Sequence, residues 1–110
     1  MRETVTLLLE LQELELVLEE SRIVHHLQPL EALVLLEQRV KDMRSAVPNP
    51  LLQRYDRLRR NGLGVAREEG GNCSGCHLHV PQGDLNRMRR AMMPWVCPNC
   101  ARFLLLSSRS

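Results

Sequence analysis

The sequence is poor in aromatic residues and contains no long uncharged hydrophobic run. It has one tryptophan, one tyrosine and one phenylalanine among 110 residues, so side chains on which nucleic-acid bases could stack are scarce. No stretch approaches the roughly 20 apolar residues that a membrane-spanning helix requires. Hydrophobic residues still make up 44% of the chain, so we expect a core built mainly from leucine and no association with a membrane.

Groups that support catalysis are missing as well. We find no histidine with an orienting carboxylate beside a nucleophile, no phosphate-binding loop and no metal site with an open position. The sequence therefore predicts neither an enzyme nor a small-molecule substrate. Acidic residues lie among the leucines of the first 20 residues, whereas a secretory signal peptide is not acidic and ends in a cleavage site. We therefore expect a cytoplasmic protein.

The only cysteines of the chain form two CxxC pairs that are separated by residues 77–96: Cys73, Cys76, Cys97 and Cys100. Two facing CxxC pairs supply four thiolates to one tetrahedral zinc ion. Disulfides are an alternative, but they suit small secreted domains. A redox pair is another, but it uses a single CxxC in a βαβ setting. The spacing thus predicts one structural Zn²⁺ in a closed site that performs no chemistry.

Leucine spacing predicts a helix over residues 3–21. Leu7, Leu11, Leu14 and Leu18 recur at the intervals of a coiled-coil seam. Other apolar residues lie off this seam and widen the apolar stripe beyond what one partner helix covers: Leu8, Leu9, Leu16 and Val17. Because exposed apolar patches mark interfaces, we predict that these residues bind a protein partner or a second copy of the chain.

The rest of the chain predicts two further helices and then a small sheet. A break at residues 25–28 separates the first helix from a second that runs from Pro29 to about residue 46. A third helix follows the prolines at 48 and 50. Strands are predicted at 65–68, 77–80 and 103–106, with a short helix capped by Asp84 among them. The fold class is therefore α+β: a helical coiled-coil hairpin over residues 1–62 and a three-stranded zinc ribbon over 63–110.

Charge is unevenly distributed along the chain. Residues 1–47 contain nine acidic and five basic residues, whereas residues 48–110 contain four acidic and ten basic residues. Two groups of arginines are candidates for phosphate contact: Arg54, Arg57, Arg59 and Arg60, and, at the short helix, Arg87, Arg89 and Arg90. They give an alternative function as a nucleic-acid-binding zinc ribbon associated with transcription. A net charge of +2 permits that function without favouring it strongly. The surplus apolar surface of the first helix favours a protein-interaction module instead.

Five segments together carry a family resemblance. They read LLQRYDRLR at 51–59, GVA at 64–66, NCSGC at 72–76, VPQ at 80–82 and CPNCARFL at 97–104. The chain resembles the bacterial C4-type zinc-ribbon proteins with an N-terminal coiled-coil hairpin, which include a flagellar regulatory protein of Helicobacter and a type III secretion-associated protein of Chlamydia. The resemblance implies a structural zinc and a non-enzymatic adaptor role, regulatory or associated with secretion or the flagellum.

The chain departs from this family pattern in two respects. Its hairpin occupies only about 60 residues before the ribbon, whereas family members have a much longer one. Ala101 stands where the family tends to have glycine after the fourth cysteine; if that position requires a positive φ, alanine costs on the order of 1 kcal/mol there. Because the ribbon is small, we also predict that loss of zinc unfolds residues after about 64 and leaves the helices largely intact.

Overall fold

The computed structural model describes residues 1–23 and 30–107, and these residues form an α+β fold, as predicted. The elements are α1 (Arg2–Ile23), α2 (Leu30–Ser45), α3 (Asn49–Arg59), β1 (Val65–Glu69), β2 (Asn72–Cys73), α4 (Gln82–Arg89) and β3 (Phe103–Leu105). The predicted break at 25–28, like Pro29, lies outside the described residues. None of the helices in the described part of the chain is both long and apolar enough to cross a membrane.

The first two helices form the predicted hairpin. They pack through the leucine seam, in which Leu18 of α1 and Val40 of α2 are buried. α3 begins directly after Pro48, and Pro50 occupies its first turn, where a residue without an N–H is tolerated because that group would have no partner within the helix. Polar contacts then tie α3 to the hairpin.

Glu15 of α1 lies at the centre of these polar contacts. Its carboxylate accepts a hydrogen bond of 2.5 Å from the hydroxyl of the fully buried Tyr55 and one of 3.0 Å from Arg44 of α2. Arg44 also binds Asp56 of α3 through two hydrogen bonds, of 3.1 and 2.7 Å. A guanidinium held by two carboxylates is a geometrically specific contact, so these residues fix the three helices relative to one another.

β1 is the central strand of the sheet. It pairs antiparallel with β2 and parallel with β3, and Val65 lies opposite Phe103 in the parallel register. The strand predicted at 77–80 is wrong: within it, only His79 forms a bridge, to Asn72. The reason is that His77, directly after the first CxxC pair, has a φ of 63°, so the chain turns there instead of continuing extended.

The short helix also differs in detail from the sequence prediction. α4 begins at Gln82 after Pro81, and no side chain caps it. Asp84, the predicted cap, lies in the first turn and forms an ion pair with Arg87. Proline disfavours helical conformation in the residue before it and has a φ suited to a helix entry, so the chain enters the helix three residues earlier than the capping pattern indicates.

The ribbon packs on the first half of α1. Val5, Leu8 and Leu11 are fully buried, and they belong to one core cluster with Phe103 and Leu104 of β3. α1 accordingly contacts both β1 and β3. The helical part and the ribbon therefore share a hydrophobic core across the boundary placed at residues 62 and 63.

Candidate metal centre

The four cysteine sulfurs lie together at one end of the sheet. Their Sγ atoms are all within 4.8 Å of one another, and the pairs Cys73–Cys100 and Cys76–Cys97 are each 3.8 Å apart. A tetrahedral zinc with Zn–S bonds of about 2.3 Å separates its sulfurs by about 3.8 Å, whereas a disulfide requires about 2.05 Å. The geometry therefore fits one zinc ion bound by four thiolates, with no open position for a substrate.

We call the turn formed by each CxxC pair a knuckle; the first, with Cys73 and Cys76, begins where β2 ends. The N–H of Cys73 donates to the carbonyl of Leu78 at 3.0 Å, and the N–H of His77 donates to the carbonyl of Cys73 at 2.7 Å. The N–H of Gly75 approaches the Cys73 sulfur at 3.3 Å. Such N–H groups favour the thiolate over the thiol, so the backbone of the turn prepares this sulfur for a cation.

The second knuckle repeats this pattern 24 residues later in the sequence. The N–H of Cys97 donates to the carbonyl of Arg102 at 2.9 Å, and the N–H of Ala101 donates to the carbonyl of Cys97 at 2.9 Å. Cys97 and Cys73 are buried, whereas Cys76 and Cys100 are partly exposed. Each knuckle thus contributes one inner and one outer sulfur to the site.

The residue after each CxxC pair adopts a left-handed conformation. His77 has a φ of 63° and Ala101 a φ of 67°. A side chain with a Cβ costs roughly 1–2 kcal/mol in this region, and the family tends to place glycine at the second of these positions. Ala101 therefore has the positive φ that was expected to be costly for alanine. This cost is small compared with the binding free energy of a structural zinc ion, which is roughly 10–16 kcal/mol.

The protonation states of the thiols depend on burial and on hydrogen bonds. Burial raises the pKa of Cys97 to about 12 and raises the pKa of Cys73 above its usual range. Burial also acts to raise the pKa of Cys100, but interactions with Arg102, Cys97 and Cys73 together outweigh it and lower this pKa to about 7. A cation must therefore displace protons from the inner sulfurs when it binds.

The histidines beside the first knuckle are not part of the ligand set. His77 and His79 are exposed, and among the described residues only the four cysteines are grouped closely enough to hold a metal ion. The carbonyl of His79 instead accepts a hydrogen bond of 3.2 Å from the side chain of Asn99. This contact links the two knuckles outside the coordination sphere.

The structure separates the four apolar residues that were predicted to bind a partner. Leu8 and Leu9 are buried within the chain's own core, so their prediction as an exposed contact surface is wrong. The reason is that the ribbon packs on this half of α1. Leu16 and Val17 lie further along the helix and remain 39% and 42% exposed.

The three arginines at α4 that were proposed for phosphate contact do not form one free basic surface. Arg87 is paired with Asp84, and Arg89 lies 3.5 Å from the carboxylate of Glu68 with its side chain only 21% exposed. Arg90 is exposed at the end of α4. Two of these three charges are therefore already engaged by carboxylates of the same chain, which weakens the nucleic-acid alternative for the arginines at α4.

Two residues that support the metal centre were not found by sequence reasoning. Gln12 of α1 is 4% exposed and forms hydrogen bonds with the backbone at the start of β1. Glu68 is also 4% exposed and accepts hydrogen bonds from the N–H of Gly71 and from Ser107. Burial acts to raise the pKa of Glu68, but these donors and Arg89 outweigh it and lower this pKa. In the sequence, the only sign of such a supporting role was a polar residue within an apolar pattern.

Comparison with known proteins agrees with the geometry of the site. Residues 72–104 match the family model of the C4-type zinc ribbon domain. A search of curated proteins finds no match. The matched segment contains all four cysteines, together with β2, α4 and most of β3.

Two solved structures are similar to the chain. CT398 from Chlamydia trachomatis aligns with a TM-score of 0.62 at 24% identity, covering 84% of this chain and 38% of that chain. A protein from Mycobacterium smegmatis aligns with a TM-score of 0.55 at 21% identity, covering 81% of this chain and 39% of that chain. These likenesses show the fold, and the chain spans less than two fifths of the length of either protein.

The resemblance inferred from the sequence is thus confirmed by an independent domain match and by two bacterial structures of the same fold. The donor set, the sulfur separations and the domain match all indicate the same metal. Residues 72–104 are a C4-type zinc ribbon domain, and its four cysteines hold one structural zinc.

Proposed function

We propose that the chain is a non-enzymatic interaction module of the cytoplasm, in which the zinc ribbon braces a helical hairpin that binds another protein. The observation that carries this proposal is where the apolar surface lies. Six of the large apolar residues that the structure describes as exposed lie between residues 16 and 35: Leu16, Val17, Ile23, Leu30, Val34 and Leu35. Four thiolates that must stay reduced to bind zinc suit a reducing compartment.

These residues occupy the half of the hairpin that the ribbon does not cover. Ile23 and Leu30 are 79% and 74% exposed, and Leu35 is 70% exposed. Burying such a side chain contributes roughly 1.5–3 kcal/mol, so a partner that covers several of them gains substantial affinity. Clusters of exposed apolar side chains on a helical surface mark binding sites.

Charge indicates the kind of partner. Residues 1–47 contain nine acidic and five basic residues. Glu20 and Glu31 lie near the exposed apolar residues in sequence and are themselves exposed, whereas Glu19 and Glu37 are paired with Arg59 and Arg22. Two such hairpins repel one another, whereas a helix with an apolar face and basic flanks meets complementary charge. We therefore propose a basic amphipathic helix of another protein as the partner, in preference to a second copy of this chain.

Site-specific photo-cross-linking tests this assignment. A photoreactive amino acid replaces Val34 in cells that express the chain, and the adducts are compared in two further backgrounds, Leu35→Glu and Gln38→Glu. Both substitutions add one negative charge to an exposed position of α2, but only the first removes apolar surface. We expect a discrete adduct that Leu35→Glu abolishes and Gln38→Glu preserves.

Light scattering over a range of concentrations provides the companion measurement. We expect the purified, zinc-loaded chain to be monomeric. A dimer that Leu35→Glu dissociates would overturn the assignment to another protein and make a second copy the occupant. Equal adducts in both backgrounds, or no adduct from position 34, would contradict the proposed surface altogether.

A further inference from the structure

A groove lined by arginines lies between α3 and the second cysteine knuckle. It has a volume of about 570 Å³, and its polar lining comes from Arg54, Arg57, Asn61 and Arg102, with Cys100 at its wall. None of the described residues that line it is acidic. We call this site the arginine groove; it is a different surface from the arginines of α4.

Two of the three guanidinium groups are held in place by the protein. Arg102 donates from Nε to the carbonyl of Leu63 at 2.9 Å. Arg54 lies over the ring of Phe103, with its Cζ 5.7 Å from the ring centroid, and approaches the carbonyl of Ala101 at 3.4 Å. These contacts use only part of the donor capacity of each guanidinium group, which has five N–H groups.

The neighbouring arginines differ from these in having carboxylate partners. Arg44 is bound by Asp56 and Glu15, and Arg59 is bound by Glu19 at 2.6 Å. Within the described part of the chain, Arg54, Arg57 and Arg102 form no ion pair. Three positive charges in one concavity repel one another, so a negatively charged group in the arginine groove would stabilise it.

The zinc centre supplies part of this counter-charge. Four thiolates and one Zn²⁺ carry a formal charge of about −2, and Arg102 lines the groove together with Cys100. Arg57 has a different position, because it lies on α3 and is exposed at the rim. Neutralisation of the thiolates therefore accounts for Arg102 more readily than for Arg57.

We propose that the arginine groove binds a phosphate group. A carboxylate has two oxygens and is satisfied by a single guanidinium fork, whereas a phosphate offers three or four acceptor oxygens to several forks. Three arginines and the Asn61 amide in one site supply enough N–H donors for the three or four acceptor oxygens of a phosphate. Phe103 is fully buried and offers no stacking surface, so the groove recognises phosphate and not a base. The phosphate belongs either to a small phosphorylated ligand or to a nucleic-acid backbone.

Calorimetric titration of the zinc-loaded chain with inorganic phosphate tests the proposal, at constant ionic strength maintained with chloride. The decisive variants are Arg57→Ala and its matched control Arg60→Ala. Both remove an exposed arginine near the end of α3, but Arg60 does not line the groove. We expect Arg57→Ala to weaken phosphate binding by roughly tenfold or more, the usual effect of losing a charge-assisted hydrogen bond, and Arg60→Ala to change it less than twofold.

A second variant, Arg57→Lys, keeps the charge and removes the fork, and we expect it to bind more weakly than the unaltered chain. Zinc content is measured for every variant to confirm that the ribbon is intact. Equal losses in Arg57→Ala and Arg60→Ala, or no binding beyond that of chloride, would overturn the proposal and leave the groove as a counter-charge for the thiolates.

Fluorescence anisotropy with a labelled single-stranded oligonucleotide distinguishes the two sources of phosphate. If the oligonucleotide binds, and both competing inorganic phosphate and Arg57→Ala weaken that binding, the groove recognises a nucleic-acid backbone. Phosphate binding without oligonucleotide binding assigns it to a small phosphorylated ligand. Oligonucleotide binding that is unchanged in Arg57→Ala contradicts a role for the groove in backbone recognition.

Discussion

The side-chain amide of Gln12 on α1 bonds both backbone polar groups of Val65 on β1. Its Oε1 accepts the N–H of Val65 at 3.0 Å, and its Nε2 donates to the carbonyl of Val65 at 3.2 Å. The same Oε1 also accepts the N–H of Gly64 at 2.8 Å. The amide therefore pairs with β1 much as a strand would, and it joins the helix to the start of the ribbon within the core.

We predict that Gln12→Leu strongly destabilises the zinc-loaded protein. The substitution leaves two N–H groups and one carbonyl buried without a partner, and each such group costs about 1–3 kcal/mol. The free energy of unfolding should fall by on the order of 3 kcal/mol in denaturant titrations. Gln53→Leu, at an exposed position of α3, is the control and should change stability by less than about 0.5 kcal/mol. A similar effect of both substitutions would show that the buried amide has no special role.

Removal of zinc should reduce the helical content as well as unfold the ribbon. The sequence alone suggested that the helices survive, but Val5, Leu8 and Leu11 of α1 share their core with β3. When the ribbon unfolds, this half of α1 loses the surface that buries it. Circular dichroism at 222 nm during chelation should therefore decrease together with zinc release. A helical signal that stays constant after complete chelation would restore the earlier prediction.

Glycine should be preferred at the left-handed positions of the knuckles. The left-handed conformation costs alanine roughly 1–2 kcal/mol, and glycine avoids this cost. The greater conformational freedom of glycine in the unfolded chain offsets about 0.5–1 kcal/mol of the stability gained by the substitution. We expect Ala101→Gly to raise the free energy of unfolding by about 0.5–1 kcal/mol. Ala32→Gly within α2 should have the opposite sign and cost about 1 kcal/mol. Destabilisation by Ala101→Gly would contradict the assigned backbone conformation.

Zinc binding should release protons at neutral pH. Loss of zinc unfolds the ribbon, and a thiol of an unfolded chain has a pKa of about 8.5, so Cys73 and Cys97 retain most of their protons at pH 7 in the zinc-free protein. Binding as thiolates displaces these protons, and the apparent zinc affinity therefore falls as the pH is lowered. Calorimetry in two buffers of different ionisation enthalpy measures the number released. Proton release below that of Cys73 and Cys97 together would mean that these thiols are already ionised.

The metal centre could be predicted from the sequence because its determinants are local. Each CxxC turn closes within a few residues, and four thiolates specify zinc whatever surrounds them. The hairpin could be predicted for a similar reason, since the seam spacing sets the helical face. Arg54 and Arg57 were candidates for phosphate contact, but their combination with Arg102 in one groove was not predicted, because the sequence does not reveal which distant segments meet.

Two predictions from the sequence, the exposure of Leu8 and Leu9 and the strand at 77–80, were wrong for the same reason. Leucine spacing showed that α1 is apolar around much of its surface, but it did not show that the ribbon covers Leu8 and Leu9. Alternation at 77–80 indicated a strand, yet the turn required by the knuckle at His77 prevented it. In both cases a tertiary constraint determined the outcome over a local pattern.

The parallel pairing of β1 with β3 also determines when the protein can fold during synthesis. α1 leaves the ribosome long before Phe103 has been added to the chain, yet its apolar face is covered partly by β3. At synthesis rates of about 5–20 residues per second, roughly 5–20 s separate the two events. Throughout that interval Leu8 and Leu11 lack part of their native partner, so each newly made chain is most exposed to aggregation before β3 emerges.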